Sequence, residues 1–436
     1  MSDTLVETSA ESAFLDLHKK LSSSEGSALA KLRGVALNQF ELLRFPHSKH
    51  EMFTYLNTKG LAETAFSLAD APATVSQDFV ASHIYPGCEN QYLVFVDGVF
   101  NENLSQVEGL SVSLMPLSKA IKDSKLNAYL SETAKNENDA FAALSTAFCS
   151  EGLVCKVDDN TQVSGTLQVL FVSTGKESGP VMHAPRLIWQ LGKLSEVKVI
   201  EKFVGIEGGY FINAVQDWLL AEGAGVTFTQ VQADPFDSWH FSKTRIHLNR
   251  NSRFASTNAS SGTQLARHHY DVRLKEEGAE LRLNGVSVLD GKEQVHNFIR
   301  IHHEAPQCTS HQHFKNIING QARSSFDGTV IVNQGAQLTS SNQLINNLML
   351  SNDCHADNKP NLMIFADDVK CTHGATIGQI DENQWFYLQT RGLSAKIAKE
   401  LLTRSFAKSI IQTIEFPEVI NELNGTLLKK LEARNV

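Results

Sequence analysis

Residues 365–378 read Phe-Ala-Asp-Asp-Val-Lys-Cys-Thr-His-Gly-Ala-Thr-Ile-Gly, and they contain one copy of a short pattern that decides the fold. The pattern is Gly-Ala-x followed by Val, Leu or Ile, and its copies begin at Gly223, Gly278, Gly335 and Gly374. The copies are 55, 57 and 39 residues apart, close to multiples of about 18–19 residues, the length of a solenoid turn with three hexapeptide-sized faces. We therefore predict a parallel β-solenoid, with residues 365–378 in its last coil.

The sequence from about residue 153 to Phe365 consists mainly of short β-type runs. The runs extend from Thr166–Ser173 to Asn361–Phe365, and Ala214–Ala221 is the main stretch between them with a helical period. Asn and Gly are frequent between the runs, as tight corners with positive φ require. A β-sandwich or several small β-domains would be the alternative. Most of the runs, however, lack the Asn-Gly or Asp-Gly dipeptides that antiparallel hairpins favour, so the pattern favours the solenoid.

Helical periodicity marks both ends of the chain. Apolar residues recur at three-to-four spacing in residues 1–70 and again in residues 117–150, whereas Asp97-Gly98 indicates a β-hairpin between them. Near the C-terminus, Ser394 is a predicted N-cap and Pro417 is predicted to begin a further helix. The predicted fold is therefore mainly β, a parallel β-helix flanked by N-terminal and C-terminal α-helical segments. We place its parts at 1–152 (helical and mixed), 153–385 (β-helix core) and 386–436 (helical).

Composition and charge restrict the function classes. The net charge of −9 argues against nucleic acid or an anionic membrane surface as a partner, because both attract a basic face. The 6 cysteines are too sparse for a disulfide framework in 436 residues, so reduced thiols are expected. The first residues, Met-Ser-Asp-Thr-Leu-Val-Glu, resemble neither a signal nor a transit peptide, and no run approaches about 18 uninterrupted apolar residues. These features predict a cytoplasmic protein without a membrane partner.

Cys371 and His373 are two residues apart, so on an extended strand they project from the same face. Thiol and imidazole are soft and borderline ligands that suit iron, zinc or copper. The structural alternative is a small buried thiol beside a hydrogen-bonded histidine, and the spacing by itself favours that alternative. Asp367 and Asp368, next to Lys370, could form an acid–base pair or the polar corner of a coil. No second carboxylate partner is recognisable, which favours the corner.

A second group of metal-type residues lies between positions 296 and 313. The segment Cys308-x-x-His311-x-His313 resembles a metal motif, but no second Cys pair stands at zinc-finger spacing. We favour a structural role for this group, and a structural or solvent-facing role for His268-His269. The chain contains no nucleotide-binding glycine loop, no dinucleotide fingerprint and no nucleophile elbow. No self-contained active site is therefore recognisable.

An apolar stripe follows Ser394 in the C-terminal helical pattern. It is formed by side chains at the spacing of one helix face: Ile397, Leu401, Leu402, Phe406 and Ile410. A stripe of this kind usually packs in a core, here as a cap of the solenoid. A short terminal helical pair nevertheless has few places to bury its apolar faces, so the stripe could equally dock a partner. Both roles stay open from the residues alone.

Several segments resemble the SufB/SufD family of iron–sulfur cluster assembly proteins. They read Gln-Ala-Arg-Ser-Ser-Phe-Asp-Gly (321–328), Thr-Ser-Ser-Asn-Gln-Leu (339–344), Asn-Leu-Met-Leu-Ser (347–351), Ala-Asp-Asp-Val-Lys-Cys-Thr-His-Gly-Ala-Thr-Ile-Gly (366–378) and Phe-Tyr-Leu-Gln-Thr-Arg-Gly-Leu (386–393). The segment Pro-His-Ser-Lys-His-Glu (46–51) with Tyr55 resembles the family's N-terminal signature. The run Asp-Asp-Val-Lys-Cys-x-His-Gly-Ala-Thr is typical of SufD-type rather than SufB-type members.

The resemblance implies a right-handed parallel β-helix and a place in a scaffold that contains SufB, SufD and the ATPase SufC. In such scaffolds SufB and SufD pair through the ends of their β-helices, and SufC docks on the C-terminal helical segments. The nascent cluster assembles at the SufB–SufD interface. The family's functional histidine on the SufD side matches His373, with Cys371 beside it. The resemblance then makes the stripe the predicted SufC-binding surface, formed by Ile397, Leu401, Leu402 and Phe406.

Two departures from SufB-type chains limit what this chain can do by itself. SufB-type chains carry a ligand Cys in the segment that matches 341–353, where this sequence has none before Cys354, and Gly374 replaces a SufB glutamate. We therefore expect a non-enzymatic assembly subunit without a tightly bound cofactor of its own, which shares iron or the nascent cluster with SufB. Whether the isolated chain is a homodimer stays open. The alternative from another class is a β-helix polysaccharide-acting enzyme with Asp367 and Asp368 in an open groove.

Overall fold

A computed structural model of the chain describes residues 2–21, 27–47, 50–68, 74–175 and 179–432. Its helices are α1 (Ser2–His18), α2 (Ala28–Leu43), α3 (Lys59–Glu63), α4 (Gln77–His83), α5 (Leu117–Ala120), α6 (Ser124–Lys135), α7 (Ala140–Phe148), α8 (Glu382–Thr390), α9 (Ala395–Ile411) and α10 (Pro417–Glu432). Short 3₁₀ turns occupy Glu51–Phe53 and Glu102–Leu104. Residues 48 and 49 of the N-terminal signature lie outside the described residues.

The strands lie mainly between the two helical ends. They are β1 (Ser67–Leu68), β2 (Tyr92–Val96), β3 (Val99–Phe100), β4 (Ser113–Pro116), β5 (Gly152–Val157), β6 (Leu167–Ser173), β7 (Val181–His183), β8 (Arg186–Leu191), β9 (Glu196–Gly205), β10 (Tyr210–Leu220), β11 (Gly225–Ala233), β12 (Trp239–Leu248), β13 (Arg253–Ser260), β14 (Leu265–Leu274), β15 (Glu280–Leu289), β16 (Gln294–His303), β17 (Thr309–Ile318), β18 (Arg323–Val332), β19 (Ser340–Met349), β20 (His355–Ile364) and β21 (Lys370–Gly378). From β8 onward, successive strands alternate between two sheets.

The two sheets form a parallel β-solenoid, which confirms the predicted fold class. Sheet A runs in the order β4-β5-β8-β10-β12-β14-β16-β18-β20, and sheet B runs β3-β2-β6-β9-β11-β13-β15-β17-β19-β21. Each long strand pairs in parallel with the strand two places along the chain, so one coil contains one strand of each sheet. Paired residues are 26 positions apart at Trp239↔Leu265 and 32 apart at Arg323↔His355. The predicted turn of about 18–19 residues with three faces was therefore wrong.

The predicted helical stretch Ala214–Ala221 was also wrong, because residues 214–220 lie in strand β10. The inner side of β10 faces the solenoid core, and its outer side is covered by α7, where Asn213 donates to the Phe141 carbonyl at 2.8 Å. A strand buried on both sides has no alternation of apolar and polar residues. Such a run cannot be distinguished from a helical period by its pattern alone.

The interior of the solenoid is a column of in-register side chains. Trp189 on β8 pairs with Trp218 on β10, and their rings stack at 4.8 Å with both side chains fully buried. In sheet B, Phe171 and Phe203 stack in the same way at 4.5 Å. Parallel register places each inward side chain above the equivalent one of the previous coil, so large aromatic residues bury area against each other.

Helices cover part of the outer face of each sheet. The N-terminal helices pack on sheet A, where Phe141 of α7 contacts Phe211 and Phe241. On sheet B, α9 and α10 bury apolar side chains such as Val419 against the outward residues of the strands. Within the described ranges, every helix falls short of the length and apolarity needed to cross a membrane.

The predicted hairpin turn and the two predicted helix starts were confirmed. Asp97 and Gly98 have φ of 47° and 82° and connect the antiparallel strands β2 and β3. Ser394 accepts a hydrogen bond from the Ile397 amide at the start of α9, and Pro417 is the first residue of α10. The first long ladder strand, β5, begins at Gly152, and position 385 lies inside α8. The domain boundaries at 152/153 and 385/386 stay predictions.

Candidate functional site

The C-terminal end of the solenoid, which we call the open end, is formed by β20 and β21. They are the outermost strands of sheets A and B, and within the described ranges neither pairs with a strand on its outer side. Apolar side chains near this edge are exposed: Ile364 by 40%, Phe365 by 58% and Ile377 by 55%. An uncovered strand edge with apolar side chains is a template for pairing with another chain.

Cys371 and His373 lie on β21 at the open end. Cys371 is in register with Ser341 and His373 with Gln343, and both of these β19 residues are buried. Parallel neighbours in register share a face, so the thiol and the imidazole stand on the inner side of the sheet. Cys371 is half-buried and His373 is exposed, because no further coil covers them in the described part of the chain. Their role as metal ligands stays a prediction.

The thiol of Cys371 is in its protonated form at neutral pH. Burial raises the pKa of Cys371, and a hydrogen bond from the Ser341 backbone opposes the rise. A thiol must lose its proton to ligate a metal. An incoming cation would therefore have to displace the proton of Cys371.

Two buried polar residues directly beneath this pair were missed by the sequence analysis. Ser341 Oγ lies 2.9 Å from Ser310 Oγ, and Gln343 Nε2 donates to Gln312 Oε1 at 3.3 Å. Buried polar side chains usually have hydrogen-bond partners, as these two have in the coil below. The only signal in the sequence is the offset of 30 residues from Cys371 and His373, and this offset has meaning only once the coil length is known.

The turn between β20 and β21 contains the predicted acidic pair. Asp367 and Asp368 are exposed, and the Asp368 carbonyl accepts a hydrogen bond from the Leu338 amide at 2.7 Å. Lys370 is the first residue of β21 and is also exposed. This arrangement fits the polar-corner interpretation, because the backbone of the pair connects two successive corners of the solenoid.

The residues between 296 and 313 are dispersed by the fold. His296 is buried and lies 2.6 Å from Ser325 Oγ, and burial lowers the pKa of its imidazole from 6.5 to about 3. Cys308 is buried at a corner and donates to the Glu276 carbonyl, whereas His311 and His313 lie on β17. In the described ranges no group of three or more His, Cys, Asp or Glu side chains is arranged to hold a metal ion.

The histidine pair at 268 and 269 is buried in β14. His269 Nδ1 lies 2.6 Å from an Asp139 carboxylate oxygen, and His268 Nδ1 lies 3.0 Å from Ser242 Oγ. These contacts support the structural interpretation rather than the solvent-facing one. The two side chains point to opposite faces of sheet A, since they are neighbours on one strand.

The apolar stripe of α9 is divided into an exposed and a packed part. Ile397 is 52% exposed and Leu401 is 45% exposed, whereas Leu402 and Phe406 are half-buried. The Phe406 ring lies under the Lys315 ammonium at 4.7 Å, and Lys315 Nζ donates to the Phe406 carbonyl at 2.7 Å. Phe406 therefore helps to attach α9 to sheet B, and Ile397 and Leu401 are the most exposed members of the predicted partner-binding set. The role of all four residues in binding a partner stays a prediction.

Helix α8 extends the exposed apolar surface in a way that the sequence analysis did not predict. Phe386 is 67% exposed and Tyr387 is 55% exposed, and α8 buries none of its residues in the described chain. The Trp385 indole donates to the Ala395 carbonyl at 2.9 Å, which joins α8 to the start of α9. A cavity of about 200 Å³ lies beside Trp385, between α8, α9 and the end of β19. Phe386 and Tyr387 therefore form an exposed apolar surface at the start of the C-terminal helices.

Comparison with known proteins gives consistent matches along nearly the whole chain. Residues 171–406 match the family model described as "SUF system FeS cluster assembly, SufBD core domain", and residues 7–169 match "SufBD protein N-terminal region". An iron–sulfur cluster assembly SufBD family protein of Synechocystis sp. is 30% identical over 433 residues, covering 95% of this chain and 93% of the relative.

Two further relatives carry related names. The iron–sulfur cluster assembly protein SufD of Escherichia coli is 26% identical over 400 residues, covering 90% of this chain and 91% of the relative. The chloroplastic protein ABCI7 of Arabidopsis thaliana is 30% identical over 292 residues, covering 65% of this chain and 60% of the relative.

Proposed function

Because this chain belongs to the SufBD family of the SUF system for iron–sulfur cluster assembly, we propose that it is a non-catalytic scaffold subunit of the SufD type. It pairs with a SufB-type subunit through the open end and binds the SufC ATPase through its C-terminal helices. It contributes to iron acquisition and to a nascent-cluster site at the interface. The iron or cluster is cargo that the two subunits hold jointly. The family assignment favours this role over a polysaccharide-acting enzyme.

One observation carries the proposal: the open end brings an unpaired strand edge, exposed apolar side chains and two metal-type ligands to the same place. A second solenoid of similar cross-section can continue both sheets by pairing with β20 and β21. Such pairing would cover Cys371 and His373 and remove them from water. A dry interface strengthens metal–ligand bonds and protects a nascent cluster from solvent.

The ligand count supports a site that is shared between subunits. Thiolate and imidazole both ligate iron–sulfur clusters, which require about four protein ligands. Cys371 and His373 supply at most two, and the described residues provide no group of three or more ligands anywhere. A SufB-type partner therefore has to provide the remaining ligands.

The exposed C-terminal surface supports binding of the ATPase. We call this surface the α8–α9 patch, and it consists of Phe386, Tyr387, Ile397 and Leu401. Contiguous apolar side chains that a monomer leaves exposed mark interaction surfaces, and tyrosine is enriched among interface anchors. The patch follows β21 in the chain after a short connection, because β21 ends at Gly378 and α8 begins at Glu382. A partner bound to the patch would therefore lie near the open end.

The proposal is tested by His373→Ala in the complex reconstituted with SufB-type and SufC-type subunits. We expect the complex to assemble and its iron content after loading to fall strongly, because one ligand of the shared site is lost. The matched control is His311→Ala, since His311 is also exposed but lies on β17, two strands of sheet B away from β21. Normal iron content in the His373→Ala complex would contradict the proposal.

A further inference from the structure

A column of amide side chains runs along the inner face of sheet B and ends at His373. Gln312 on β17 is in register with Gln343 on β19, and Gln343 is in register with His373 on β21. Gln343 Nε2 donates to Gln312 Oε1 at 3.3 Å, so the upper amide donates to the lower one. The exposed fractions of Gln312 and Gln343 are 1% and 0%.

The column leaves two buried amide atoms without a hydrogen-bond partner among the described residues, Gln312 Nε2 at its lower end and Gln343 Oε1 at its upper end. A buried carbonyl oxygen without a donor is costly, so its position beneath His373 needs an explanation. An imidazole N–H is the donor that the next position of the column offers.

The Gln343 amide is also held in place from the opposite sheet. Gly328 on β18 faces it so closely that a β-carbon at Gly328 would lie 2.4 Å from Gln343 Nε2. The bond to Gln312 fixes the amide nitrogen, and Gly328 provides the space that this orientation requires. The carbonyl oxygen is the amide atom that these two contacts leave without a partner.

A second column, of hydrogen-bonded His and Ser side chains, ends beneath Cys371. His303 Nε2 lies 2.8 Å from Ser310 Oγ, which lies 2.9 Å from Ser341 Oγ, and Ser341 is in register with Cys371. Both candidate ligands thus continue a buried polar column of the preceding coils. Their neighbours beneath are therefore placed to support them.

We propose that Gln343 is a positioning residue for His373: the imidazole turns onto the end of the column and donates a ring N–H to Gln343 Oε1, which leaves the other ring nitrogen free to ligate at the open end. This inference rests on the proposed function of His373 as a ligand of iron or of the nascent cluster. A histidine ligand usually donates its second ring nitrogen to a carbonyl or carboxylate, which fixes the tautomer and the ring orientation. Gln343 provides such an acceptor, and Gln312 holds it.

The test uses Gln343→Met, which keeps the length of the side chain but removes the acceptor. Histidine-selective ¹⁵N spectra of the metal-free chain are recorded at mildly alkaline pH, where imidazole is neutral. In the wild type we expect His373 to show one protonated ring nitrogen with a hydrogen-bonded N–H signal, assigned by its loss in His373→Ala. In Gln343→Met we expect this signal to be lost and the two tautomers to mix.

Two further variants separate this role from a general effect on the fold. Gln343→Glu keeps an acceptor beneath His373 but loses the N–H to Gln312, whose own amide can turn to donate instead, and it should retain the single tautomer. Asn342→Ala removes the neighbouring outward side chain of β19, which donates to Thr372 Oγ1 at 2.8 Å, and should leave the His373 signal unchanged. Identical His373 signals in the wild type and in folded Gln343→Met would overturn the proposal.

The second readout is Fe²⁺ binding by the reconstituted complex. Loss of a partner to a metal-ligating histidine typically weakens metal affinity by about 10–100-fold. We expect a weakening of that size for Gln343→Met and near wild-type affinity for Gln343→Glu. A changed tautomer with unchanged Fe²⁺ affinity would overturn the positioning role. Unchanged iron loading in His373→Ala would instead contradict the proposed function, and the tautomer measurement on the metal-free chain does not depend on it.

Discussion

Arg267 on β14 donates a hydrogen bond to Asp139, the N-cap of α7, at 2.6 Å, and both side chains are almost fully buried. The same carboxylate accepts from the Phe141 amide at 3.0 Å and lies 2.6 Å from His269 Nδ1. One acid thus caps the start of a helix of the N-terminal region and attaches that helix to the outer face of sheet A. A buried charge of this kind depends on its partner, because each would be costly to bury alone.

We predict that Asp139→Asn lowers the free energy of unfolding by about 3–5 kcal/mol, the usual cost of breaking a buried ion pair from one side. Asparagine still caps the helix, so the loss reports the charge rather than the cap. Urea unfolding followed by circular dichroism measures the change. The exposed pair of Asp16 with Lys19 provides the control, because Asp16→Asn should leave the midpoint unchanged. Equal midpoints for Asp139→Asn and the wild type would contradict the attachment role.

Acid should weaken the same interface through Glu137. Burial opposes ionisation of this carboxyl group, but the charges of Lys243 and Arg245 outweigh it and lower the pKa of Glu137 from 4.5 to about 2. An acid whose folded-state pKa is lowered stabilises the protein above its unfolded-state pKa. This stability, roughly 3 kcal/mol, is lost as the pH falls from about 4.5 through about 2.

We therefore expect Glu137→Gln to show a shallower loss of stability on acidification than the wild type. The free energy of unfolding measured at a series of pH values between neutrality and strong acid gives the two slopes. Asp139 and Asp217 are also buried and have lowered pKa values, so part of the acid dependence should persist in the variant. If Glu137→Gln and the wild type lose stability equally on acidification, Glu137 does not contribute to the acid dependence.

Glu201 inside the solenoid should have the opposite pH dependence. Burial raises the pKa of Glu201 from 4.5 to about 8, although hydrogen bonds from Gln216 and Gln230 oppose the rise. A carboxyl group whose folded-state pKa is raised gives its full stability below the unfolded-state pKa. That stability is lost as the pH rises from about 4.5 through about 8, at up to about 1.4 kcal/mol per pH unit.

We predict that Glu201→Gln removes this loss, so that the variant gains stability relative to the wild type as the pH rises from weakly acidic to weakly alkaline values. Thermal unfolding at several pH values in this window provides the measurement. The surface residue Glu222, which pairs with Lys193 at 3.2 Å, is the matched control, since Glu222→Gln should keep the wild-type slope. A wild-type slope in Glu201→Gln would mean that Glu201 is ionised in the folded protein.

Leu401→Glu should abolish co-purification of the SufC-type ATPase while the solenoid stays folded. Leu401 is exposed in the α8–α9 patch, so a charge there disrupts a partner contact and no internal one. Phe406 is unsuitable for this test because it packs against Lys315. Lys396→Glu changes the charge at another exposed position of α9 and should leave binding intact. Retention of the ATPase by Leu401→Glu would move the docking surface elsewhere.

The sequence allowed the solenoid to be predicted, but not its coil. Gly223 and Gly278 have φ of +69° and +73° at the corners before β11 and β15, so they repeat every second coil. Gly374, by contrast, lies inside β21, where its spacing from Gly335 reflects no corner. Counting Gly374 as a corner residue made the predicted length of one coil too short. Corners of unequal length keep the true coil of 26 to 34 residues from appearing as a fixed repeat.

The two candidate ligands could be predicted from the sequence, but the buried residues beneath them could not. Cys371 and His373 are neighbours on one strand, so a spacing of two already places them on one face. Gln343 and Ser341 come beneath them only through the register between β19 and β21. That register depends on the length of the connection through β20, which hydrophobic patterning does not specify. The exposed aromatics of α8 were missed for a related reason, because exposure depends on what the rest of the chain covers.

Because the outer edge of β21 is unpaired in the described chain, amide exchange in this strand should show whether a partner strand has paired with it. In a solenoid each coil is held by its neighbours, and β21 has a neighbouring strand on one side only within the described chain. Its amide protons should therefore exchange with solvent through small local openings, faster than those of β13 or β15 in the middle of the sheet. When a partner solenoid continues the sheet, these openings become part of a larger cooperative unit. Amide exchange in residues 370–378 thus measures assembly directly in solution, without any cargo bound.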